Sequence, residues 1–154
     1  MSKSRQRKKR VEKYVDEVLS EQRIASIAER QALQRHVDDL RDGGQRGLVF
    51  DWEIADCCCD WFDLLTFSKG TAAGEPFDLL DFQETIVSLL TGWRSEETGL
   101  RRFRRAFISM GRGNGKSPLA AGLATMLWLN DIPHQPGAEV ACAATKRQQA
   151  HDYV

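Results

Sequence analysis

Apolar positions recur at helical spacing over the first forty residues. Val11, Tyr14, Val15 and Val18 lie at i, i+3, i+4 and i+7, which predicts one amphipathic helix. Ile24, Ile27, Val37 and Leu40 predict a second helix after a break near Ser20. Gly43-Gly44 marks its end, because glycine readily takes left-handed conformations. Arg23, Arg30, Arg35 and Arg41 sit among Asp and Glu and read as a solvated face. From Asp51 to about Phe67, the positions Ile54, Cys58, Trp61 and Leu65 predict another helical stretch. Ser68–Pro76 (SKGTAAGEP) is a turn-rich linker and a domain boundary. Asp81 with Glu84 resembles a capping box, which puts Gln83 in the first turn of a helix running to Leu90. Gly92–Gly99 reads as a loop.

The pattern changes after Arg101. Phe103, Ala106, Phe107, Ile108 and Met110 predict a short strand. The loop Gly111-Arg112-Gly113-Asn114-Gly115-Lys116-Ser117 follows, and then a helix through Leu119, Leu123, Met126 and Leu127. Pro118 falls in the first helical turn, where no intrahelical N–H is required. Asn130–Gly137 is a Pro/Gly loop, and Ala138–Ala144 predicts a buried strand. Thr145, with Gln148 as its capping partner, opens a new helix. Strand–helix–strand of this length predicts a βαβ unit with parallel strands and a right-handed crossover.

Composition narrows the class. The 154 residues are 42% hydrophobic and 29% charged, which fits one globular domain or one with a short appendage. Basic and acidic residues number 22 each, so a global attraction to nucleic acid or acidic membrane is excluded, although local patches are not. The longest apolar run, Leu119–Leu129, is too short to span a bilayer, and no apolar stretch follows the basic N-terminus as a secretory signal requires. Four cysteines are too few for a disulfide scaffold. Cys57-Cys58-Cys59 would point in directions ~100° apart on a helix and read as small buried hydrophobes rather than metal ligands. His36, His134 and His151 show no ligand spacing, and the four tryptophans read as packing residues. Six of the first ten residues are Lys or Arg, which predicts a mobile basic arm over 1–10. Such an arm is either a phosphate contact or a solvated tail. The arginines of Arg101–Arg105 are a second candidate patch.

The chemistry concentrates in the glycine-rich loop. A strand, a loop ending in Gly-Lys-Ser and a helix form the context of a Walker A loop. Triphosphate oxygens need several N–H donors converging on one point. Successive glycines let the backbone curl into such a nest, and the helix N-terminus adds its partial positive charge. In that role Lys116 reaches the β- and γ-phosphates and Ser117 ligates Mg²⁺. The pattern GxxxxGK[ST] asks for glycine at 110, where Met110 stands. The rival dinucleotide fingerprint GxGxxG asks for glycine at 116, where Lys116 stands.

The ordered set of segments resembles the large subunit of a tailed-phage terminase at its ATPase N-terminus. It comprises "VLSEQRIAS", "ERQALQRHVDDL", "PFDLLDFQ", "LTGWRSEETGLRRFRRAFISMGRGNGKSPLAAGLA" and "EVACAATKRQQA". The loop form Arg112-Gly-x-Gly-Lys-Ser is characteristic of that family and accounts for Met110. The resemblance implies an α/β fold, with a helical leader over 11–67 and, over 68–154, the beginning of a RecA-like P-loop NTPase parallel sheet. It implies ATP and Mg²⁺ as cofactors, held by Gly111, Arg112, Gly113, Asn114, Gly115, Lys116 and Ser117. Lys116 and Arg112 would serve catalysis, Arg112 as a γ-phosphate sensor. Gln83 matches the family's adenine-recognising glutamine. Phe77 and Phe82 read as core residues, with stacking on the base as the alternative. The segment Thr145 to Ala150 matches one that couples the nucleotide to the rest of the motor. The implied activity is ATP-driven packaging of double-stranded DNA into a capsid, in the bacterial cytoplasm at the procapsid portal. The implied partners are double-stranded DNA, the terminase small subunit and the portal protein, within an oligomeric ring and without a membrane.

Hydrolysis also needs a Walker B carboxylate and a second carboxylate to polarise water. Both normally come from the end of a later apolar strand followed by acidic residues; no such strand is expected after the loop, and Glu139 lies at the wrong end of its expected strand. The chain is therefore expected to be a partial product that binds ATP weakly, if at all, and does not turn it over alone. The alternatives are a fragment of another helicase-like P-loop ATPase, and a non-catalytic helical adaptor that binds nucleic acid or a partner.

Overall fold

The computed structural model describes residues 3–68, 72–129, 139–141 and 143. The chain falls into two compact units, one made of Met1–Cys59 with Leu79–Ala106 and the other of Asp60–Asp78 with Phe107–Val154.

The first unit is built on helices. Helix α1 runs from Lys3 to Leu19 and buries Val11, Tyr14, Val15 and Val18, the stripe the spacing predicts. It also takes in the block expected as a mobile arm. Lys3–Arg10 are its first two turns, and Arg7 is only 3% exposed. A tight elbow follows, with Glu21 held at φ 64°. Helix α2 spans Ile27–Asp42 and is capped by Ser26, whose hydroxyl accepts from the Glu29 N–H at 3.1 Å. Its buried residues are Leu33, His36 and Asp39, not the expected apolar set; Ile24, Ile27 and Leu40 are exposed. Gly43 keeps a right-handed helical conformation, and the left-handed turn comes at Gly47 (φ 65°) after a 3₁₀ turn over Gly43–Arg46.

Strand β1 (Leu48–Phe50) leads into helix α3 (Trp52–Asp60), which is shorter than expected because a 3₁₀ turn takes over at Trp61–Leu64. Its buried face, Ala55, Asp56, Cys58 and Cys59, is shifted from the expected stripe. Helix α4 (Asp81–Gly92) packs against α1 and runs directly into strand β2 (Trp93–Ser95). A Cβ on Gly92 would lie 2.7 Å from Phe50 Cζ, so this junction closes only with glycine. Val11, Tyr14, Val15, Val18 and Leu33 form one cluster of the core, with Trp52, Phe82 and Leu89 packed on it.

The sheet corrects the expected fold class. β1 and β2 pair antiparallel, with Leu48 opposite Ser95, Val49 opposite Arg94 and Phe50 opposite Trp93. The described chain is mostly helical, with this small two-stranded sheet, and no parallel RecA-like sheet forms among the described residues. The expected strand over 103–110 is absent. Arg101 makes a single bridge to Arg94, residues 105–110 have no regular structure, and Phe107 is 95% exposed. A strand exists only with a partner to satisfy its backbone groups. The expected partner supplies none, because Glu139–Ala141 and Ala143 carry no strand. The rest of Ala138–Ala144, the Asn130–Gly137 loop and the Thr145 cap lie outside the described residues.

In the second unit, residues 65–67 and 74–77 close on each other. The Phe77 N–H donates to the Leu65 carbonyl at 2.9 Å and the Phe67 N–H to the Glu75 carbonyl at 3.0 Å. Phe77 is buried, its ring 5.7 Å from Phe62 and 4.8 Å from Phe67. Helix α5 (Lys116–Leu129) packs against the 3₁₀ turn and buries Leu119, Gly122 and Met126. Among the described residues no helix is long and apolar enough to cross a membrane.

Candidate phosphate-binding loop

The loop Gly111–Gly115 delivers the chain into the N-terminus of α5. Gly113 and Gly115 have φ of 89° and 71°, left-handed conformations that a side chain would oppose. These are two of the glycines singled out in the sequence. A Cβ on Gly111 would stand 3.3 Å from Asn114 Nδ2, so the loop folds closely on itself. The first helical hydrogen bond of α5 runs from the Leu119 N–H to the Gly115 carbonyl at 3.0 Å. N–H groups before that bond lack i−4 carbonyl partners within the helix and sit at the positive end of its dipole. Pro118, inside this turn, has no N–H to leave unpaired. Arg112, Gly113, Asn114 and Lys116 are exposed, and Ser117 is half-buried. Two guanidinium or ammonium groups, a hydroxyl and a run of glycines therefore share one solvent-facing turn, which suits an anionic ligand.

The helix beneath is set by a close contact. A Cβ on Gly122 would lie 2.3 Å from Phe62 Cε1, and Phe62 is fully buried. The glycine at 122 lets α5 lie against that ring, and Thr125 secures the next turn by donating to the Ala121 carbonyl at 3.0 Å.

Gln83 belongs to the first unit. It lies in the first turn of α4, as expected, but the cap is displaced by one residue. Leu80 is the N-cap, and its N–H donates to Gln83 Oε1 at 3.0 Å. Gln83 is 2% exposed. Phe77 is a core residue, and Phe82 packs half-buried on the α1 cluster.

Charged pairs missed from the sequence surround α4 and the sheet. Arg7 Nε donates to Glu84 Oε1 at 3.0 Å, and its Nη1 donates to Asp56 Oδ1 at 3.1 Å and to the Asp56 carbonyl at 3.2 Å. Arg10 donates to both Glu84 oxygens, at 2.9 and 2.6 Å, and Ser4 Oγ donates to Asp56 Oδ2. The sequence held a signal for this, since Arg7 lies four residues before Val11 on the same apolar stripe. Buried Asp39 pairs with Arg46 and Arg102. Burial pushes its carboxyl up, but the hydrogen bonds from Arg102 and Arg46 outweigh that and hold it below its usual value. Arg102 also lies over the Trp93 and Phe103 rings, so it is no part of an open basic patch. Trp93 Nε1 donates to His36 Nδ1 at 3.0 Å, and burial lowers the imidazole pKa to about 4. Cys58 and Cys59 are buried, burial pushing the Cys59 thiol up to about 12, while Cys57 is exposed. Among the described residues no cluster of His, Cys, Asp or Glu is arranged to hold a metal ion.

Residues 81–153 match the family model described as the terminase large subunit, ATPase domain. The matched stretch begins at the first residue of α4 and includes Gln83 and the entire loop through Ser117. No curated protein and no solved structure matches the chain.

Proposed function

We propose, from the match of residues 81–153 to the terminase large-subunit ATPase domain, that the chain is the nucleotide-binding front portion of a DNA-packaging motor. One observation carries this reading: within the matched segment, Gly113 and Gly115 adopt left-handed conformations immediately before the N-terminus of α5, where Lys116 stands. The backbone of 111–115 would cradle the phosphates of ATP. Lys116 and Arg112 would neutralise their charge, and the Ser117 hydroxyl would contribute to holding Mg²⁺. ATP supplies the phosphoryl group whose release drives translocation; these residues bind and orient it. Gln83 reads the adenine edge in this proposal, which requires its amide to exchange the bond from the Leu80 N–H for the base. Double-stranded DNA, the small subunit and the portal are the proposed partners, in a ring assembled at the procapsid in the host cytoplasm.

The test is equilibrium binding of ATP to the 154-residue chain with and without Mg²⁺. Weak, Mg²⁺-dependent binding is expected. Lys116→Ala should weaken it about tenfold or more, the loss of one charge-assisted contact. Affinity unchanged by Lys116→Ala would overturn the assignment. No turnover is expected from this chain alone, since no apolar run after Ser117 in the sequence is followed by paired acidic residues. Mg²⁺-dependent hydrolysis lost in Lys116→Ala would refute that expectation.

A further inference from the structure

The first two turns of α1 are helical for an unusual reason. Residues 3–10 bring no aliphatic or aromatic side chain to the core, and six of the eight are Lys or Arg. Cations at a helix N-terminus face the positive end of the dipole, and no acid stands in the first turn to offset it. A segment of that composition is expected to stay solvated and unfolded. What anchors it is ionic. Arg7 is clamped between Glu84 and Asp56, Arg10 grips both oxygens of Glu84, and Ser4 donates to Asp56. From Val11 onward the helix holds by apolar burial instead.

We propose that residues 3–10 are an ionically latched segment, whose Arg7 and Arg10 are held by Glu84 and Asp56 and reach a nucleic-acid backbone only when those carboxylates release them. The carboxylates occupy the guanidinium forks in the way phosphates would. The partner follows from charge density. Six cations within eight residues suit a duplex, which carries a phosphate charge every ~1.7 Å of its axis, better than the sparser acids of a peptide. The latch lies wholly within the first unit and does not depend on what the glycine-rich loop binds.

The experiment is the salt dependence of binding of a short DNA duplex to the full chain, with limited trypsin digestion as the conformational readout. Glu84→Gln should open trypsin sites at Arg5–Arg10 and leave the remaining circular dichroism intact. It should also tighten duplex binding at low salt and steepen the log–log salt slope by about one, for Arg10, because Asp56 still holds Arg7; adding Asp56→Asn should bring the change to about two. Adding Arg7→Gln and Arg10→Gln should abolish the gain. Unchanged affinity in Glu84→Gln, or a gain that survives loss of both arginines, would overturn the proposal; the latter would mean only that a negative charge had been removed. Should Glu84→Gln lose its fold, Asp56→Asn decides on Arg7 alone, since Glu84 still holds Arg10: trypsin opening and a smaller affinity gain that Arg7→Gln abolishes are expected, and their absence overturns the proposal. Unfolding of both variants also overturns the proposal, because the carboxylates would then hold the fold and not a releasable segment.

Discussion

Single glycines show most directly how local chemistry limits this chain. At Gly122 the limit is space: Gly122→Ala would drive a methyl group into the Phe62 ring. The expected cost is about 1–3 kcal/mol, read as a lowered urea midpoint. At Gly113 and Gly115 the limit is conformation. Gly113→Ala should cost about 1–2 kcal/mol of local strain and weaken ATP binding while the circular dichroism stays unchanged. His36 sets a pH dependence. Its folded pKa is about 4 against an ordinary 6.5, so the unfolded chain takes up the proton first as the pH falls. The stabilisation is complete above about pH 6.5 and is lost progressively down to about pH 4. Urea midpoints across that window should slope downward with acid in the wild type and flatten in His36→Gln.

Elements are held by a mixture of local and distant groups. The Ser26 cap is local, and Ser26→Ala should cost about 1 kcal/mol, measured by chemical denaturation. Helix α4 has the opposite character. Its first turn is closed by Gln83 on Leu80, but the next residue, Glu84, is satisfied by arginines from the far N-terminus. Burying a charge is costly unless it is paired, and in the folded-back segment Arg7 and Glu84 neutralise each other. The strand expected over 103–110 shows the same dependence failing. Its apolar run is suitable, yet no described partner pairs with it, and Phe107 remains in solvent.

At the scale of the molecule, the leader and the family-matched segment are not separable. The match begins at Asp81, yet α4 packs on α1, and Phe82 and Leu89 lie on the cluster that Val11, Tyr14, Val15 and Val18 form. Deleting residues 1–19 should therefore expose that face of α4. The expected result is loss of a cooperative thermal transition for the first unit and increased binding of a hydrophobic dye. A truncated chain that melts as sharply as the full one would show that the leader is an independent appendage.

Much of this could be read in the residues beforehand. The α1 stripe, the helix after Gly115 and the need for glycine in the loop follow from spacing and backbone sterics, which act within a few residues. Gln83 does lie in a first helical turn, although the cap is Leu80 with Gln83 itself and not Asp81 with Glu84. The faces of α2 and α3 were not legible, because burial there depends on what arrives from elsewhere: His36 is drawn in by Trp93, and Asp39 by Arg46 and Arg102. The sequence by itself determined the α1 stripe and the glycine-rich turn that leads into α5, both products of short-range geometry. Only the tertiary structure decided that β1 pairs antiparallel with β2, that 103–110 does not become a strand, and that the basic N-terminus folds back onto Glu84. Backbone pairing and charge neutralisation each need a partner, and for Arg7 that partner lies 77 residues away, beyond the reach of any local pattern.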